Sequence, residues 1–230
     1  MLDWFRRVPA APTEEQLRVT QALVGYPPYA PPKWEPDPNP EAMRAASIQY
    51  RDYFLGGTQA RLDALRAFLA NFQVSLNLDD ASLIAISTWL PRWADLLVSD
   101  FDDPAVRNAY HRFEAPWSGE LCGLNVVFDL GIYYAECVWI RRTGLKWVVV
   151  RGPDGATHSI YGLPGGKPFN PIHFMYWECQ DIRKAKLPKP KWHRYFIEQH
   201  HYEPHILKSD SFSRHVLSKA PPGRRSRKIR

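Results

Sequence analysis

Cysteine is scarce in this 230-residue chain: only Cys122, Cys137 and Cys179 occur, an odd number with no close pair. That argues against a disulfide framework and a CxxC metal knuckle, and the expected location is a reducing cytoplasm. Long apolar runs are missing too. No uninterrupted stretch approaches the ~18 residues of a membrane span, and mean hydropathy is −0.41, so no transmembrane segment is expected. The opening Met1-Leu2-Asp3-Trp4-Phe5-Arg6-Arg7 has an acid where a secretory signal carries its positive region. No serine sits in a Gly-x-Ser-x-Gly elbow and no cysteine has a legible histidine arrangement, so no nucleophile can be named.

What the chain does have is hydrophobic and aromatic content, 45% and 13% respectively, enough to build one core. Charge is unevenly placed. The whole chain is +6, yet residues 183–230 hold 14 Lys/Arg against Glu198, Glu203 and Asp210, a net of +11. Residues 1–182 hold 16 basic and 21 acidic side chains, a net of −5. The sequence pI of about 9.2 therefore describes the end of the chain and not its body.

Three regions follow from composition: residues 1–40 as an N-terminal helix and proline-rich strap, 41–186 as a globular domain, and 187–230 as a basic tail rich in histidine and aromatics. The last ten residues or so are expected to be disordered, because they have too few apolar groups to offset the entropy of ordering. Thr13 and Gln16 form a capping-box pattern for a short helix ending at Gly25. The stretch from Tyr26 to Pro36 has no helical or strand period and reads as an extended polyproline strap, lying along its own domain or serving an aromatic groove elsewhere.

The globular region reads as mainly helical. A helix opened by Asn39-Pro40 and closed by Gly56-Gly57 is followed by one capped by Thr58, with Leu62, Leu65, Phe68, Leu69 and Phe72 on one face. Asp79-Asp80 opens a third, broken at Pro91 and resuming as a helix, and Asp100 to Pro104 reads as a surface loop. From Ser118 to Arg142 all terminal signals agree on one long helix, stopped by Gly144. At 100° per residue it carries a narrow polar stripe of Asn125, Asp129, Tyr133 and Glu136 on a wide apolar body, a stripe that either lines a cleft or else faces solvent or accepts hydrogen bonds that fix neighbouring loops. Two strands around Gly152-Pro153-Asp154-Gly155 then form a hairpin, and Asn170-Pro171 starts a last helix to about Lys186. The fold class expected is α+β: mainly helical, with a small antiparallel hairpin packed on a long central helix.

Gly131, Tyr133 and Glu136 on that helix, Trp147 on the following strand and the opening Asp80-Ala81-Ser82-Leu83 carry a resemblance. The layout of residues 78–182 resembles a helix–hairpin–helix module of small uncharacterised bacterial proteins, some of them similar to immunity partners of polymorphic toxins. Ala135 stands where that pattern has its second glycine. The resemblance implies a bacterial, non-enzymatic protein that binds another protein, and it implies no catalytic residues.

Three functions are therefore carried forward. The first is immunity-like or accessory protein binding, with an acidic body suited to a basic partner and the stripe Asn125, Asp129, Tyr133 and Glu136 as candidate contacts. The second is nucleic-acid binding through the tail, where Trp192, Arg194 and Tyr195 combine stacking surfaces with charge. The third is a hydrolase or metal-dependent enzyme using Asp129, Glu136 and His173. No cofactor and no metal site are expected. Gly162 to Lys167 lacks P-loop spacing, and Pro204 disfavours the helix that would bring His201 and His205 together.

Overall fold

The structure is a computed structural model, and it describes residues 11–35, 37–163 and 166–186. The expected mainly helical α+β architecture is what is observed. α1 (Glu14–Leu23) precedes the extended strap, and the strap leads into α2 (Pro40–Ala70). α3 (Asp80–Trp93), α4 (Pro104–His111) and α5 (Gly123–Arg141) follow. The hairpin of β1 (Lys146–Gly152) and β2 (Gly155–Tyr161) and then α6 (Pro171–Lys186) complete the described chain.

Local chemistry accounts for most of the boundaries. Thr13 and Gln16 close a reciprocal capping box at the start of α1, with side chain to backbone distances of 3.2 and 2.8 Å. Asn39, Asp79 and Asp103 each accept an amide of the first turn of α2, α3 and α4. Asn170 does the same for α6 through the amide of His173.

Several expectations need correction. The two helices expected on either side of Gly56-Gly57 are one helix of 31 residues. A glycine costs a helix up to about 1 kcal/mol, but Tyr50 and Phe54 before the pair and Leu62, Leu65, Phe68 and Leu69 after it are all buried in the same core. Packing on both sides holds the helix through the weak point. Thr58 is not a cap there, since its hydroxyl donates back to the Leu55 carbonyl at 3.0 Å. α3 runs past Pro91 to Trp93 and then tightens into a 3-10 turn, Ala94–Leu96, instead of resuming as an α-helix. The long helix from Ser118 starts as a 3-10 turn, Gly119–Leu121, with no side-chain cap from Ser118, and α5 proper begins at Gly123. α4 was not foreseen at all, though Asp103-Pro104 is a regular helix opening.

α5 is the axis of the molecule and is buried along nearly its whole length. Two glycines let neighbours come close. A Cβ on Gly123 would stand 1.8 Å from the Leu97 carbonyl oxygen, and one on Gly131 would stand 2.7 Å from the Ile172 Cα. The approach of α6 to α5 is thus made at Gly131, and Ala135 packs fully buried one turn on.

The hairpin pairs Lys146 with Tyr161 through Gly152 with Gly155 in antiparallel register. Trp147, Val149, His158 and Ile160 share its inner face. Phe54 meets both Trp147 and His158 there, at ring separations of 5.2 and 4.5 Å. Both strand edges are covered locally. The Arg151 amide donates to Ser47 on α2 at 3.1 Å, and Ile160 exchanges two backbone hydrogen bonds with Phe169.

Candidate functional site

The polar stripe of α5 faces inward. Asn125 is 1% exposed, and its side chain makes three hydrogen bonds: Oδ1 accepts the Tyr29 amide at 2.6 Å, while Nδ2 donates to the carbonyls of Trp117 and Cys122, both at 2.8 Å. Asp129 is 0% exposed. The Arg61 Nε donates to its Oδ1 at 2.7 Å, the Arg61 Nη2 lies 2.7 Å from its Oδ2, and the Tyr26 hydroxyl donates to Oδ2. Arg61 also donates to the Pro27 carbonyl at 2.7 Å. Burial pushes the Asp129 carboxyl up to about 6, against the pull of Arg61 and the Tyr26 hydrogen bond, so it remains ionised at neutral pH.

The strap is what these groups hold. Tyr29 enters the core at 3% exposure, with its ring 4.3 Å from Phe128, 5.7 Å from Tyr53 and 6.0 Å from Trp117. Its hydroxyl donates to Tyr50 at 3.1 Å, and the Tyr50 hydroxyl lies 2.8 Å from Nε2 of the fully buried His158. Two backbone groups of this extended segment, the Tyr29 amide and the Pro27 carbonyl, are thus satisfied by an asparagine and an arginine. The proline-rich segment covers its own domain.

Farther along α5, the Tyr133 hydroxyl donates to the Asn77 carbonyl at 2.8 Å, and Arg141 donates to the Leu78 carbonyl and to Asp80 at 3.1 and 2.6 Å. Glu136 is only partly buried. Burial raises its pKa and the Trp147 indole opposes that rise. Of the four stripe residues expected as contacts, Asn125, Asp129 and Tyr133 fasten the strap and the loop before α3. Glu136 alone is not wholly enclosed.

His173 is brought to a different place from Asp129. Its ring lies edge-on to His111 at 4.6 Å and 85°, and His111 in turn lies 5.4 Å from Trp177. Burial and the neighbouring His111 lower His173 to about 4, and burial also lowers His111. Among the described residues no group of three or more His, Cys, Asp or Glu is placed to hold a metal ion. Trp192, Arg194, Tyr195 and the tail histidines lie outside the described residues. In an open cleft lined by Thr13, Glu14, Glu15, Arg18, Arg92 and Trp93, Arg92 pairs with Glu15 at 3.0 Å, and Arg18 donates to the Asn71 carbonyl at 2.6 Å.

The residues that sequence reasoning missed are Arg61, Tyr26 and His111. Arg61 left a signal, because it sits seven residues after Phe54 and four before Leu65, on the apolar face of its helix. A charge there requires a buried counter-charge. His111 left none, since its helix was not foreseen.

Comparison with known proteins returns no matching family profile, no similar curated protein and no similar solved structure. Gly119–Arg141 is long and apolar enough, by length and composition, to cross a membrane. In this fold 83% of its most apolar window is buried by the protein's own elements.

Proposed function

We propose that this chain is a non-enzymatic, cytoplasmic bacterial protein that binds another protein, in the manner of an immunity or accessory factor. The observation that carries the reading is the placement of Asp129. A carboxylate at 0% exposure, held by Arg61 and Tyr26, cannot exchange a proton with a substrate unless the strap first leaves. The acid–base pair that an Asp129/Glu136 hydrolase needs therefore has one member locked inside the protein. The net −5 of residues 1–182 suits a basic partner, which it would attract over a distance comparable to the Debye length. The test is to isolate a partner from the source cell and reconstitute the pair from purified proteins. A stoichiometric complex that weakens as salt rises supports the reading. A purified chain that turns over a substrate overturns it.

A second reading is favoured by the +11 charge of residues 183–230, which suits a polyanion. Here a nucleic-acid mobility shift should weaken steeply with salt and vanish when residues 187–230 are removed. Binding indifferent to both would end it.

A further inference from the structure

The rings of His111 and His173 are presented to each other by a clamp one residue back on each side. The Tyr110 hydroxyl donates to the Ile172 carbonyl at 3.0 Å, and Tyr110 stacks on Tyr176 at 4.7 Å and 25°. The C-terminal end of α4 and the first turn of α6 are thereby fixed together, with His173 held further by its amide on Asn170 at 3.0 Å. Despite this order, the Nε2 atoms of both rings are shielded from solvent and have no hydrogen-bond partner among the described residues. Leaving a buried polar atom unpaired costs about 1–3 kcal/mol, and two such atoms on adjacent rings are an arrangement that needs a reason.

We propose that His111 and His173 form a two-histidine site for a late first-row divalent cation of the nickel, copper or zinc class. Two imidazoles sharing such an ion at about 2.1 Å per bond, at angles from square to tetrahedral, have ring centres roughly 4.6–5.3 Å apart. The observed 4.6 Å separation lies within that range, and imidazole is a ligand that nickel, copper and zinc all accept. No third protein ligand adjoins them among the described residues, so water completes the coordination and the ion exchanges readily. Trp177, 5.4 Å from His111 and 42% exposed, is the solvent-facing ring beside the pair.

The experiment uses the full chain with His193, His200, His201, His205 and His215 replaced by glutamine, which removes the imidazoles of the tail from the measurement. Calorimetric titration with nickel chloride should show one ion per chain with a dissociation constant on the order of micromolar. His111→Gln and His173→Gln should each weaken binding at least about tenfold. A copper(II) electron paramagnetic resonance spectrum of the parent, which needs no variant at the site, should show coupling to two imidazole nitrogens. Absence of binding at about 1 mM nickel, binding that survives replacement of both rings, or coupling to fewer than two nitrogens overturns the site.

Discussion

Arg61 on α2 and Asp129 on α5, 68 residues apart in sequence, meet as a buried ion pair with both carboxylate oxygens engaged. The pair ties the longest helix to the central one, and through Tyr26 and Pro27 it also holds the strap. Removing one member leaves the other charged and enclosed. Arg61→Ala and Asp129→Ala should each lower unfolding free energy by about 3–5 kcal/mol, measured by denaturant titration. The double substitution Arg61→Leu with Asp129→Leu should cost less than the sum of the two, because no charge is left stranded. Strict additivity would show that the pair is not coupled.

The strap depends on a second anchor, Tyr29 with its amide on Asn125. Tyr29→Ala empties an aromatic cage and should destabilise the protein by about 3–5 kcal/mol. Asn125→Ala leaves the Tyr29 amide and the Trp117 carbonyl without their partner and should cost about 1–3 kcal/mol. Limited proteolysis gives the sharper readout. Both variants should be cut between Gly25 and Trp34 under conditions where the parent is intact, and α2–α6 should survive as a fragment. Cleavage distributed over the whole chain would instead mean that strap and body unfold as one unit.

Glycines at three places in the helices separate packing from propensity. Gly56 and Gly57 have open space where a Cβ would go, and α2 passes through them unbroken. Alanine at either position should therefore stabilise by up to about 1 kcal/mol. Gly131→Ala drives a methyl onto the Ile172 backbone and should destabilise by about 1–3 kcal/mol. Thermal melting of the three variants reads both signs at once. Stability loss at Gly56 or Gly57 would contradict the continuous helix.

How far the sequence could be read is clear from these same residues. The hairpin with its two-residue turn and the entry to α6 were legible because each has capping or turn chemistry next to apolar residues, and the axis helix because of its long apolar body alone. The Gly56-Gly57 stop was misread because local propensity was outweighed by burial on both sides, which no window around the pair reveals. The stripe on α5 was seen correctly as a line of polar side chains. Its direction stayed open between a cleft, solvent and hydrogen bonds that fix neighbouring loops, because whether Asp129 meets water or Arg61 depends on a partner 68 positions away. The His111–His173 contact was invisible for the same reason.

The remaining prediction concerns acid. His173 is held at about 4, below the ordinary histidine value of 6.5, so between those values the unfolded chain takes up a proton that the native chain refuses. Stability contributed at neutral pH is therefore lost as pH falls from about 6.5 to about 4, by up to about 1.4 kcal/mol per pH unit for one group. His111 and His158 are lowered by burial and act in the same sense. Asp129, raised to about 6, and Glu178, raised by burial and Asp181 to about 7, act in the opposite sense, since the native state binds their protons more tightly. A difference measurement removes those carboxyl contributions. With a chelator present, the gap between the parent and His173→Gln should move in favour of the variant as pH is lowered from 6.5 to 4, and stay constant above 7. A gap independent of pH across that window would mean that the ring is free to protonate in the native protein.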